Sequence, residues 1–127
     1  MDIKARQVDE ISCLDIAGPM RYGDGGQLLE VVKTLLDAGQ RKFLLDLSAC
    51  NYIDSSGLGM LATTYTSVRK QGGDLQLVNV SGRVRHLLEV TRISTIIRVN
   101  DSAAQAVQSL NMSPLAKSDH EMNLSLR

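Results

Sequence analysis

The sequence predicts an α/β domain. Its core is a mixed β-sheet of about five strands with an antiparallel N-terminal edge and about four helices, in the order β-β-α-β-α-β-α-β-α. Three observations predict it. Two β-like runs open the chain with only Asp9-Glu10 between them. After them, short apolar runs alternate with helical stripes, and the links between them are short. Alternation on short links implies parallel, right-handed crossovers, with the helices on one or both faces of the sheet. A length of 127 residues suits one domain and needs no metal or disulfide to fold.

Residues 2–8 and 11–17 read as the first two strands. Ile3 and Val8 border the first, and Ile11, Cys13, Leu14 and Ile16 fill the second. Asp9-Glu10 between them makes a hairpin turn. The stretch Gly18-Pro19-Met20-Arg21-Tyr22-Gly23-Asp24-Gly25-Gly26 is a loop, because glycine and proline punctuate it. Asp24 is placed to cap the next helix, about 26–38, which carries Leu28, Val31, Val32, Leu35 and Leu36 and stops at Gly39. Phe43-Leu44-Leu45-Asp46-Leu47 reads as a central strand buried on both faces. The helix after it runs to about Gln71, with Leu58, Leu61, Ala62, Tyr65 and Val68 on one stripe, and Gly72-Gly73 ends it. Leu75, Leu77, Val78 and Val80 form the next strand. Ser81 caps a helix over about 82–90, where Val84, Leu87 and Leu88 share a face. Ile96, Ile97 and Val99 make a last short strand. Asp101 or Ser102 caps a helix bearing Ala103, Ala106, Val107 and Leu110. The domain is expected over 1–110. Residues 111–127, with Pro114 after the last helix, read as a C-terminal tail.

Composition narrows the function. Apolar residues make up 43% and charged residues 22%, which is globular and not disordered. Fourteen basic and fourteen acidic side chains cancel. Such a chain lacks the broad positive field of direct nucleic-acid or anionic-membrane binding. No apolar run approaches the ~18 residues of a membrane span. No basic stretch followed by an apolar run opens the chain, so a cytoplasmic location is expected. With no Trp, one Phe and three Tyr, stacking surfaces for bases or sugars are scarce. Cys13 and Cys50 are too few for a disulfide framework and read as buried or half-buried thiols.

Catalytic patterns are absent. The histidines are His86, on the helix side away from the apolar stripe, and His120, in the tail. No His, Cys or carboxylate set has metal-ligand spacing, so no metal is expected. The sequence contains neither a nucleophile elbow nor a P-loop. Gly57-Leu58-Gly59 starts like a dinucleotide fingerprint, but Ala62 stands where the third glycine belongs. No cofactor is expected, and the chain is not read as an enzyme.

What remains is Asp54-Ser55-Ser56-Gly57-Leu58-Gly59, at the junction of a buried strand and an amphipathic helix. The carboxyl edge of a parallel sheet is where open α/β folds present functional groups. The first turn of that helix has unpaired N–H groups and a partial positive charge, and Asp54 or Ser55 supplies the capping oxygen. Each glycine there costs roughly 1 kcal/mol of helix propensity, which points to close approach of another backbone or a partner.

Those residues, in this frame, resemble the STAS domain, and more narrowly the bacterial anti-sigma factor antagonists. The match runs from about Ile11 to Leu110. It includes Leu14-Asp15-Ile16-Ala17-Gly18, Phe43-Leu44-Leu45-Asp46-Leu47-Ser48, Tyr52-Ile53-Asp54-Ser55-Ser56-Gly57-Leu58-Gly59 and Gly72-Gly73-Asp74-Leu75-Gln76-Leu77-Val78-Asn79-Val80. Arg83-Val84-Arg85-His86-Leu87-Leu88 and Ile96-Ile97-Arg98-Val99 also fit. The resemblance implies a STAS-like mixed sheet and a protein that captures an anti-sigma factor, often also a serine kinase, and so frees sigma. It implies that the kinase phosphorylates the residue after the Asp, here Ser55, that a phosphatase reverses this, and that the domain does no chemistry itself. One departure stands out. Many kinase-regulated members carry an acidic residue soon after the second strand's glycine, where this chain has Arg21.

The expected partner surface joins Asp54, Ser56, Gly57 and Met60 to Arg21 and Tyr22 of the glycine-rich loop. Met60 is expected on the outward helix face with Ser56, Thr63 and Ser67. A homodimer is also open. Two other readings are carried. In one, the chain is a STAS-type scaffold subunit of a larger signalling or lipid-transport complex, with Ser55 only a cap. In the other, it is a small hydrolase or nucleotide-binding enzyme with Ser55 as nucleophile, for which only His86 can serve as base.

Overall fold

A computed structural model describes residues 1–112 of the chain. Strands β1 (Asp2–Val8) and β2 (Ile11–Ala17) form the hairpin, with Val8 opposite Ile11. Asp9 turns the chain at φ 53°, a left-handed conformation that a short polar side chain tolerates. The elements that follow are α1 (Gly25–Asp37), β3 (Lys42–Ala49), α2 (Ser55–Lys70), β4 (Asp74–Val78), α3 (Gly82–Val90), a 3-10 turn over Ile93–Thr95, β5 (Val99–Asn100) and α4 (Ala103–Met112). The sheet order is β1-β2-β3-β4-β5. The pair β1–β2 is antiparallel and the rest are parallel. The expected strand–helix order and the antiparallel edge are therefore observed.

Pleating assigns the two faces of the sheet. Leu14, Leu45 and Leu77 stand side by side across β2, β3 and β4 and are fully buried. They meet Leu28 and Val32 of α1, Leu58, Leu61 and Val68 of α2, and Val84 and Leu88 of α3. The alternate residues Cys13, Leu44 and Val78, with Ile11, face α4 through Ala106 and Leu110. Burial on both sides explains the unbroken apolar run of β3. Cys13 and Cys50 are free and buried, and burial pushes both thiols up in pKa.

Several boundaries depart from the sequence reading. Ile96 and Ile97 are not in a strand. Arg92 leaves α3 at φ 63°, and the 3-10 turn that follows sends Ile97 into the core while Ile96 stays 57% exposed. That leaves β5 two residues long. Val80 lies beyond β4, because Asn79 turns the chain at φ 58°. Asp24 does not cap α1 through its side chain. Its backbone is already helical (φ −86°, ψ −22°), whereas a capping residue needs an extended backbone, and its carboxylate turns back to accept the Arg21 N–H at 3.0 Å. Ser81 caps α3 as expected, accepting the Val84 N–H at 3.4 Å. Ser102, not Asp101, receives the first-turn N–H of α4, from Gln105 at 3.1 Å. The helix α4 continues to Met112, and the rest of the expected tail, with His120, lies outside the described residues.

Below Leu77, no strand among the described residues pairs with β4 on its β5 side. Buried side chains occupy that border. Asp74 accepts the Leu75 N–H at 2.9 Å and the Gln76 amide at 3.0 Å. Asn100 donates to the Gln76 amide oxygen at 3.0 Å and to the Leu77 carbonyl at 3.2 Å. Among the described residues no helix is long and apolar enough to cross a membrane, and no cluster can hold a metal ion.

Candidate functional site

The site forms where the chain leaves the carboxyl ends of β2 and β3. The two exits run side by side before each enters its helix. Gly18 donates to Ala49 O at 2.9 Å, Met20 to Tyr52 O at 2.9 Å, and Asp54 to Met20 O at 3.1 Å. Met20 and Ile53 form a parallel bridge, and both side chains are 2% exposed, so two apolar anchors fix the loop pair.

Gly57 allows α2 to sit against this pair. A Cβ there would lie 2.5 Å from the Met20 carbonyl oxygen and 2.8 Å from Ile53 Cγ1. The close approach inferred from the two glycines thus has its partner inside the chain at Gly57, which is buried. Gly59 differs, since nothing lies within 4 Å of a Cβ built there.

Asp54 is the side chain that ties the site together. Its backbone is extended (φ −100°, ψ −177°), and Oδ1 accepts the Gly57 N–H at 2.9 Å, which is the helix cap. Its second oxygen accepts the Tyr22 N–H at 3.1 Å. One carboxylate thus closes the first turn of α2 and holds the loop after β2. The Gly57 N–H holds the Asp54 carboxyl below its ordinary value of 3.8. The N–H groups of Tyr22 and Ser56 and the charge of Arg21 act in the same direction, against partial desolvation. A carboxylate lowered on folding adds stability above its unfolded pKa and loses it as pH falls through the folded pKa. Asp54→Ala is therefore expected to lower the melting temperature at pH 7. The gap to the parent protein should narrow below about pH 4, the ordinary carboxylate range, when thermal melts are compared across pH.

Around this clamp, Ser55 and Ser56 are exposed in the first turn of α2, and no acidic side chain shares that turn. Tyr22 is 87% exposed. Arg21 is exposed too, and borders a narrow crevice with Met20, Leu28, Gly57 and Met60. Met60, expected on the outward face, is half-buried because it closes this crevice. The structure brings Arg21, Tyr22, Asp54, Ser55, Ser56, Gly57 and Met60 to one end of the domain. Sequence reasoning missed Met20, whose carbonyl and side chain connect the two loops. A single apolar residue in a glycine-rich loop gives no periodic signal. His86 is exposed on α3.

This geometry meets its match among known proteins. The model of the STAS domain family covers residues 2–106. The chain belongs to the STAS domain family. An anti-sigma-B factor antagonist of Bacillus subtilis is 30% identical over 112 residues, covering 85% of this chain and 98% of that relative. A solved structure described as a putative anti-sigma factor antagonist from Thermotoga maritima superposes with a TM-score of 0.80 at 24% identity, over 86% of this chain and 94% of the other. The Bacillus cell fate determinant SpoIIAA in its phosphorylated form superposes with a TM-score of 0.65 at 16% identity, over 84% and 97% of the two chains. The STAS-like mixed sheet with four helices is thus established for this domain. The first two of these relatives are both named for antagonism of an anti-sigma factor.

Proposed function

We propose that this STAS domain is an anti-sigma factor antagonist: unphosphorylated, it captures an anti-sigma factor and frees sigma, and phosphorylation of Ser55 turns capture off. The observation that carries this reading is the exposed Ser55 hydroxyl side chain on the first turn of α2, one residue from the Asp54 clamp. The names of the relatives point to the same activity. Neutral Ser55 and Ser56, half-buried Met60, and Arg21 and Tyr22 from the neighbouring loop supply a mixed apolar and polar docking surface. A serine kinase, either the anti-sigma factor itself or a separate protein, transfers the terminal phosphoryl group of ATP to Ser55 Oγ. The oxygen–phosphorus bond forms as the bond to ADP breaks, and the hydroxyl proton passes to a base on the kinase. A phosphatase hydrolyses the ester. These are contacts between proteins, expected in the cytoplasm, without direct nucleic-acid or membrane binding.

Arg21, a cation where many kinase-regulated relatives are acidic, favours the scaffold reading as the second choice. The two separate by experiment. The protein is incubated with ATP and a candidate anti-sigma factor kinase, then analysed by mass spectrometry across Ser55 and by co-purification. Capture of the anti-sigma factor together with phosphate on Ser55 is the expected result. Capture without phosphate selects the scaffold, and absence of both removes the antagonist.

A further inference from the structure

We propose that Arg21 is an intramolecular phosphate reader: once Ser55 carries a phosphoryl group, the Arg21 guanidinium pairs with it. The inference rests on the reading of Ser55 as phosphoacceptor and adds how this chain responds to the modification.

Three features of the loop carry it. First, the Arg21 backbone is fixed on both sides. Its own N–H is held by the Asp24 carboxylate at 3.0 Å. Tyr22, next in the chain, donates to Asp54 at 3.1 Å, and Met20, just before it, accepts the Asp54 N–H at 3.1 Å. The loop that bears the cation is therefore tied to the residue immediately preceding Ser55. Second, the guanidinium acts on Asp54 only through its charge. Arg21 is exposed, and among the described residues no hydrogen bond or ion pair takes up its guanidinium. Third, the local charge calls for it. A phosphoserine brings about −1.5 to −2 charges beside an ionised Asp54. Like charges so close oppose each other, and a positioned guanidinium offsets them with paired, charge-assisted hydrogen bonds. Arg21 also lines the same crevice as Asp24, as Gly57 in the first turn that would bear the phosphate, and as Met60 a turn further on.

Pairing has a functional consequence. The modification would add a dianion to the docking surface and at the same time withdraw from it an arginine, a residue type that often anchors interfaces. One event alters two contacts of the partner.

The test uses the full chain with phosphoserine incorporated at position 55 during translation, so that it does not depend on any kinase. The second ionisation of the phosphate is followed by phosphorus NMR in the parent protein and in Arg21→Ala, Arg21→Lys and Arg21→Glu. The pair is exposed and screened by solvent, so the parent midpoint should lie roughly 0.2–0.7 pH unit below that of Arg21→Ala. Arg21→Lys should recover part of the difference, Arg21→Glu should exceed it, and added salt should shrink it. Equal midpoints in parent and Arg21→Ala overturn the proposal. Binding of the anti-sigma factor to the same phosphoprotein is measured separately. If the midpoints differ but capture is unchanged, the pairing stands and the switch reading falls.

Discussion

With phosphate on Ser55, affinity for the anti-sigma factor is expected to fall at least about 30-fold. The estimate follows from interface electrostatics. A charge left buried without its match in an interface costs about 2–5 kcal/mol, and 1.4 kcal/mol is tenfold in affinity. The charge arrives beside a carboxylate whose ionised form the Gly57 N–H favours. The fold itself should be spared, because an anion at the start of α2 meets unpaired N–H groups and a favourable helix dipole. The measurement is calorimetric titration of both forms against the anti-sigma factor, with a thermal melt of each. Equal affinities, or a loss that tracks unfolding, would sink the mechanism. Ser55→Asp adds one charge and no phosphate geometry, so its loss should be smaller.

Replacement of Gly57 by alanine is expected to destabilise the domain by about 2 kcal/mol. Two effects compete. Alanine gains ~1 kcal/mol of helix propensity over glycine. Against this stands overpacking, which costs about 1–3 kcal/mol where neighbours yield and more where they do not. Here the nearest atoms are a backbone carbonyl at 2.5 Å, itself bonded to the Asp54 N–H, and the buried Ile53 side chain at 2.8 Å. Neither yields without parting the two loops, so the clash should dominate. Gly59→Ala is the internal control. Its Cβ enters open space, so only the propensity gain of up to ~1 kcal/mol applies and the sign should reverse. Chemical denaturation of the two variants decides the matter. A neutral or stabilising Gly57→Ala would mean that α2 can slide away from Met20.

Much of this architecture is written in local pattern. The hairpin, the buried β3 run and the apolar side of α2 follow from periodicity, and the Ser81 cap from residue type. Pattern failed where one stretch serves two environments. Ile96 and Ile97 have the composition of a strand, yet the Ile93–Thr95 turn divides them between solvent and core. Asp24 has the right chemistry for a cap, but its backbone was already committed to the helical region. Thr64 is buried on α2 because its hydroxyl donates back to the Met60 carbonyl at 2.8 Å, a local bond that hides its polarity. At the site, the sequence marked Asp54, Ser55 and Gly57 through their spacing. It held no trace of the bond from Tyr22 to Asp54, because the two residues lie 32 positions apart and meet only once β2 and β3 pair.

The side-chain ladder of Asp74, Gln76 and Asn100 has a bearing on solubility. An unpaired strand border is an invitation to aggregation, since a foreign strand can dock on its free amides and carbonyls. On the β4 side, the Leu75 amide is already spoken for by Asp74. On the opposite side, exposed Asp2, Lys4 and Arg6 line β1 with charge. Both of these borders thus discourage fibril-like growth.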